Sequence, residues 1–210
     1  MTKIKVCGMR SGTQVSLLAD AGADFAGLIF YPLSKRFVGE LDNEEKTAIK
    51  KTGMKKFGVF VNEEIEVVEK AIEEFDLFAI QLHGDELPEY CIRLRKNIHL
   101  VKVFRLQESW DVDDLCRPFM NCADYFLFDN GSGNYGGTGK KFNWQLLKDA
   151  HINKPFFLSG GIGPGDAEVV REFEHPFFYG IDINSRFEIS PGEKDLSTVR
   201  SFINELKKDE

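Results

Sequence analysis

Pro155-Phe-Phe-Leu-Ser-Gly-Gly-Ile-Gly-Pro-Gly-Asp166 is an apolar run that breaks into glycines and then leads into a helical segment. The run reads as a buried strand. The glycines carry no Cβ, so backbone N–H groups there can turn toward one point and approach an anion closely. The positive end of the following helix adds to the attraction, which makes this turn, centred on Gly160 and Gly161, a candidate phosphate site. A glycine pair by itself is equally an ordinary strand-to-helix turn. What decides between the two is that the same strand, polar end and helix recur along the whole chain.

Working outward, the sequence predicts strands at 3–7, 25–30, 57–61, 77–82, 100–105, 125–129, 156–159 and 179–183. Between them lie segments such as Ile65, Val68, Ile72, Phe75 and Leu196, Val199, Ile203, Leu206, whose apolar positions fall three or four apart as on one helix face. Asp42 and Asn62 are placed to cap the helices that follow them, and Gly22 and Gly53 to end the helices before them. About eight strand–helix units of roughly 26 residues each predict an α/β fold, a closed (β/α)8 TIM barrel, with an open doubly wound sheet as the main competitor. No linker, low-complexity tract or strong repeat divides the chain, so residues 1–210 are expected to form one catalytic domain.

Composition narrows the partners. The 210 residues are 42% hydrophobic and include 19 Phe, enough to fill a sizeable core. Thirty-four acidic against 27 basic residues give a formal charge of −7, which argues against nucleic acid or an anionic membrane as the main partner and still permits a small anion in a local basic pocket. Cys7, Cys91, Cys116 and Cys122 form no C-x-x-C pair and have no His at metal-ligand spacing, so they read as reduced thiols of a cytoplasmic protein, with no metal expected. Met-Thr-Lys-Ile-Lys-Val enters a strand directly, and no apolar run approaches the ~20 residues of a membrane span. The expectation is a soluble, unexported protein.

Strand parity locates a site. One alternate set is apolar (Ile4 and Val6; Phe78, Ile80 and Leu82; Phe126 and Phe128; Ile181 and Ile183), as a layer packed against helices should be. The other set turns polar toward the strand ends: Lys3, Lys5, Cys7; Gln81, His83; Asp129; Asp182, Asn184. In a β/α barrel that rim carries the active site. Four polar strand ends on one parity are hard to explain by packing, since each buried group must find a partner.

Each group has a chemical use and a plainer alternative. Cys7 is either a small buried hydrophobe or, beside an anion's loops and helix ends, a thiol whose thiolate fraction rises enough for base or nucleophile work. Asp129 closes Tyr-Phe-Leu-Phe-Asp, and that aromatic bulk favours a protonated acid over a loop-capping carboxylate. Arg36 can fork onto a carboxylate or be a surface cation, and His83 can donate a hydrogen bond to a ligand or serve structure. The glycine-rich stretch 131–140 lacks the Ser or Thr of a G-x-x-x-x-G-K-[ST] phosphate loop, because Lys141 follows Lys140, and reads as a lid or a surface loop.

Taken in order, Lys5-Val-Cys-Gly8, Gly22-Ala-Asp24, Gly27-Leu-Ile-Phe30, Ser34-Lys-Arg36, Gly58-Val-Phe-Val-Asn62, Gln81-Leu-His-Gly84, Asp129, Gly136-Gly-Thr-Gly139, Phe142-Asn-Trp144, Leu158-Ser-Gly-Gly-Ile162 and Asp182-Ile-Asn-Ser185 with Glu188, Pro191-Gly192 and Lys194-Asp195 resemble the phosphoribosylanthranilate isomerase family of tryptophan biosynthesis. The chain departs from the family pattern at Lys35 (usually Pro), Asn143 (usually Asp) and Asn184 (usually Ser). The resemblance implies an isomerase that interconverts an aldose and a ketose by an Amadori rearrangement of N-(5-phosphoribosyl)anthranilate. By the same resemblance, no cofactor is expected. The resemblance implies Asp129 as general acid and Cys7 as general base. Arg36 would hold the anthranilate carboxylate, His83 and Asp182 would orient substrate polar groups, and N–H groups near Gly160, Gly161, Ile183 and Asn184 would bind phosphate. The expected partner is this phosphosugar–anthranilate substrate, with no nucleic acid and no membrane, and the protein is expected as a monomer or homodimer. The alternatives are a phosphosugar barrel of the indole-glycerol-phosphate synthase or histidine-pathway type, or a phosphate-ligand binding barrel without catalysis. Phe60-Val61-Asn62 at the third strand end, where the synthase type would have a lysine, and Cys7, where the histidine-pathway type uses an aspartate, disfavour the enzymatic rivals.

Overall fold

The computed structural model describes residues 1–94, 98–107, 110–130 and 144–208. Its centre is a closed barrel of eight parallel strands: β1 (Lys3–Cys7), β2 (Phe25–Ile29), β3 (Lys55–Phe60), β4 (Ala79–Leu82), β5 (His99–Leu106), β6 (Tyr125–Asn130), β7 (Phe156–Leu158) and β8 (Phe178–Ile183). Closure comes from β1 pairing with β8, in register at Lys3 with Gly180 and Lys5 with Asp182. The helices are α1 (Gly12–Asp20), α2 (Asn43–Lys51), α3 (Ile65–Phe75), α4 (Pro88–Leu94), α5 (Val112–Cys116), α6 (Gln145–Lys148), α7 (Ala167–Arg171) and α8 (Leu196–Leu206). After β8 a short antiparallel hairpin, β9 (Glu188–Ser190) and β10 (Glu193–Lys194), folds over the barrel mouth; its short strands carry no alternating pattern long enough to be found in the sequence.

Parity sorts the core into two layers. Ile4, Val6, Leu28, Phe104, Phe126, Phe128, Phe156 and Ile181 point outward into the layer shared with the helices. Phe25, Phe57, Ala79, Val101, Leu127 and Phe157 point inward and close the lower barrel, with Phe25 and Phe57 ring centroids 5.0 Å apart. Phe78 departs from the expected parity. It precedes β4 and lies against this inner cluster, its ring stacked 6.0 Å from Phe25. Tyr179 also turns inward, because the β7–β8 register shifts by one residue between Phe156 and Phe157. Gly180 takes up that irregularity, since a Cβ there would collide with the Lys3 carbonyl.

Helix ends follow local chemistry. Asp42 caps α2 by accepting from Glu45 N at 2.8 Å, and Gly22, at φ +91°, ends α1. Asn62 does not cap α3 as expected. Glu64 occupies that position without a side-chain bond, while Asn62, at φ +49°, accepts from Asp85 N at 2.7 Å and so ties the loop after β3 to the loop after β4. The stretch 131–140, expected as a lid or surface loop, and Asn143 lie outside the described residues. No helix among the described residues is long and apolar enough to cross a membrane.

Candidate active site

One cavity opens at the C-terminal end of the barrel, where loops are free to vary while the strands fix direction. Cys7, Arg36, His83, Asp129, Gly160, Gly161, Asp182 and Asn184 all line it, so eight of the nine expected site residues, from six different strand ends, meet at one place. Ile183 is the exception. Its side chain is buried in the outer layer, as its parity dictates, and Ile162 lines the cavity from the loop after β7 instead.

Cys7 ends β1 opposite Gly27, and a Cβ on Gly27 would stand 2.7 Å from the sulfur. The glycine makes the space the thiol occupies. Ile29, Val59 and Tyr31 complete an apolar wall around it. In this setting the thiol is not acidified as the sequence suggested. Burial pushes it up, opposed by Lys5 and Lys194 and reinforced by Asp182, so the resting form is the neutral thiol.

Asp129 reaches the cavity from β6. The aromatic rings beside it in the sequence do not surround its carboxyl: Phe128 and Phe126 point to the helices, on the opposite face of the strand. Polar groups take their place. Oδ1 accepts from Asn130 N at 2.7 Å, and Oδ2 lies 3.5 Å from His83 Nε2. His83 Nδ1 in turn lies 3.0 Å from Gln81 Nε2. With the amide donating, the neutral imidazole carries its hydrogen on Nε2, facing Asp129. Gln81 was visible in the strand's polar parity but had no role until this contact gave it one.

Arg36 is forked onto a carboxylate, but the carboxylate is the protein's own. Nε donates to Glu188 at 2.8 and 2.9 Å, and a terminal nitrogen donates to Oε2 at 2.7 Å. Lys194 adds a 2.7 Å bond to the same Glu188 and another of 2.7 Å to Asn184 Oδ1. Burial works to raise Glu188, yet hydrogen bonds from Arg36, Lys194 and Gly192 N–H outweigh it and hold the carboxyl below its ordinary value. At Lys194 the balance is reversed, and burial lowers the ammonium despite Glu188. The hairpin thus brings Glu188 and Lys194 against Arg36, two cations to one anion, leaving net positive charge beside the cavity. Neither Glu188 nor Lys194 lies on a barrel strand, so parity could not find them. Lys35 is the exposed second residue of a turn closed by Phe37 N donating to Ser34 O at 3.0 Å, a position that accepts Pro or Lys alike.

The glycine turn has the backbone its composition predicts: Gly160 and Gly161 both adopt positive φ, +82° and +73°. Ser159 and Ser185 line the same cavity. Below them Lys5, fully buried, bonds Asp182 Oδ2 at 2.9 Å. Two buried acceptors, Gln81 Oε1 and Asp182 Oδ1, have no hydrogen-bond partner among the described residues, and both residues line the cavity. A ligand carrying hydroxyl or amine donors would satisfy them.

Comparison with known proteins agrees with this geometry. Residues 4–205 match the family model described as N-(5'-phosphoribosyl)anthranilate (PRA) isomerase. A protein of that name from Parabacteroides distasonis is 42% identical over 205 residues, spanning 97% of this chain and 92% of its own. The crystal structure of phosphoribosyl anthranilate isomerase from Thermotoga maritima superposes with a TM-score of 0.85 at 30% identity, covering 99% of this chain and all of that one. A further crystal structure of the isomerase, in complex with reduced 1-(o-carboxyphenylamino)-1-deoxyribulose 5-phosphate, has a TM-score of 0.80 at 28% identity, with coverage of 99% and 100%.

Proposed function

The chain belongs to the N-(5'-phosphoribosyl)anthranilate isomerase family of tryptophan biosynthesis, and from that premise we propose which of its residues carry the reaction: Asp129 as general acid and Cys7 as general base. Asp129 gives a proton to the ribose ring oxygen. The C1–O bond breaks as the anthranilate nitrogen's lone pair forms a C1=N Schiff base, whose positive charge acidifies the hydrogen on C2. Cys7, having first released its thiol proton to solvent, takes the C2 proton as the thiolate, and the released pair becomes the C1=C2 bond of an enolamine. Loss of the hydroxyl proton and protonation at C1 then give the ketone. Electrons move only within the substrate, so no external oxidant or reductant enters.

His83, with Nε2–H facing Asp129, and Asp182, with a free acceptor oxygen, orient the sugar's polar groups. The phosphate binds to backbone N–H groups at Gly160 and Gly161 and to those of Ile183 and Asn184, whose side chains need not face it. Arg36, held flat by Glu188, directs its remaining N–H groups at the anthranilate carboxylate. Anchoring both ends of the substrate positions the reacting carbons between acid and base. The whole chain acts as one catalytic domain in the cytoplasm, as a monomer or homodimer.

The observation that carries this reading is the shared cavity of Cys7 from β1 and Asp129 from β6, with the Gly160–Gly161 turn beside them. The test is fluorescence-monitored consumption of the anthranilate sugar by purified protein. Cys7→Ser and Asp129→Asn are each expected to lower turnover by a factor on the order of a hundred or more, with substrate binding retained. Near-normal turnover in either variant rejects the role given to that residue.

A further inference from the structure

Lys5 is a buried charged group beneath the cavity that the reaction scheme leaves without a task. Its side chain is wholly shielded from solvent and sits beside the inner aromatic layer, with Nζ 5.6 Å from the centre of the Phe57 ring. An ammonium in such a place is unfavourable unless it is paired. Asp182 Oδ2 pairs it at 2.9 Å, but Lys5 is also two residues below Cys7 on the same inward face of β1, where its positive charge favours the thiolate. Asp182 has only one oxygen so engaged, and Oδ1 is without a donor among the described residues. Three groups on two adjacent strands therefore share one buried positive charge.

We propose that Lys5 is a positioning residue that sets the ionisation of Cys7: its ammonium is divided between Asp182 and the sulfur, stabilising the thiolate, while Asp182 limits how much of that charge the sulfur receives. The remaining charged neighbours are Lys194 on β10, which also favours the thiolate, with Arg36 and Glu188 beyond it, and His83 and Asp129, which act on Asp182 from just past β4 and from β6. Burial opposes the charge on Lys5, but Asp182 and then Cys7 outweigh it and keep the ammonium. Burial likewise pushes Asp182 up despite the bridge. A purely structural alternative is available, in which the Lys5–Asp182 bridge only staples β1 to β8 where the barrel closes.

The function of this device rests on Cys7 being the base, but the device itself can be read without substrate. The experiment measures Cys7 alkylation by iodoacetamide against pH in the purified, ligand-free protein, with peptide mass spectrometry separating Cys7 from the other thiols. Lys5→Met is expected to move the Cys7 midpoint up by about one unit or more, and Asp182→Asn to move it down. Midpoints that coincide in all three proteins, or that move with the opposite signs, overturn the proposal in favour of a staple. If Lys5→Met does not fold, the downward shift in Asp182→Asn decides alone. Turnover measured on the same samples separates the two levels. Shifted midpoints with an unchanged kcat in Lys5→Met would uphold the coupling and remove Cys7 as base, whereas a kcat lowered about tenfold with a smaller change in KM supports both.

Discussion

A Cβ placed on Gly160 would stand 2.7 Å from Asp129 Oδ1 and 2.8 Å from Asn130 N, so the turn that is to receive the phosphate and the carboxyl that is to give the proton are in van der Waals contact. Neither can shift without the other. Gly160→Ala adds this collision to a φ of +82°, which a residue with a Cβ adopts at a cost of about 1–3 kcal/mol. The expected result is a lowered denaturation midpoint together with a fall in kcat/KM of about tenfold or more. Parallel chemical denaturation and steady-state assays check both.

Arg36 and Glu188 give a second prediction. Three hydrogen bonds hold the guanidinium in one plane, and a lysine can reproduce neither the fork nor the outward-facing N–H groups. Arg36→Lys should raise KM about tenfold while kcat changes less. An equal loss in both constants would place Arg36 closer to the reacting carbons than to the anthranilate end.

Glu86 tests the support behind His83. Its carboxylate accepts from Asn62 N at 2.8 Å and from Gly84 N at 3.1 Å, and it pairs with buried Lys102 at 2.9 Å. Glu86→Gln leaves the Lys102 ammonium without its counter-charge, a loss of about 3–5 kcal/mol by analogy with other broken buried pairs. Urea unfolding should report it, and the unpinned loop should weaken substrate binding as well. Replacing both residues by apolar ones should recover most of the stability and little of the binding.

The acid dependence of stability has a local source in α8. Asp195 caps that helix through Ser197 and Thr198, whose hydroxyl and backbone donors hold its carboxyl down to about 2 from an ordinary 3.8. A depressed folded-state value means that the stabilisation is complete above about pH 4 and disappears as pH falls toward 2. Asp195→Ala should therefore melt at a lower temperature than the parent at neutral pH, with the two curves converging in acid. Thermal melts across that range check the sign.

How much of this could be read from the chain depended on whether a signal was local. Period-two alternation placed all eight barrel strands within about two residues at either end, because each strand's inner and outer faces meet different surroundings. Phe78 broke the rule by lying just outside its strand, and Tyr179 by sitting at a one-residue shift that only Gly180 hints at. The rim residues Cys7, His83, Asp129 and Asp182 were legible as polar groups at the ends of apolar strands. Their partners were not. Lys5 meets Asp182 across 177 positions and Arg36 meets Glu188 across 152, distances over which no periodicity operates. Asp129 shows the same limit at short range: the rings adjacent to it in sequence are the ones its carboxyl never touches, and its true neighbour His83 comes from another strand.

The tilted and edge-on rings of Phe25, Phe57 and Phe157 stopper the lower barrel. Among the described residues, what lies above them is a cul-de-sac whose doorway is the C-terminal rim of the barrel. A molecule converted there leaves by the rim and not through the floor, so an incoming sugar waits for a departing one. Traffic through that doorway can thus set the pace of the enzyme even when the bond rearrangements are fast.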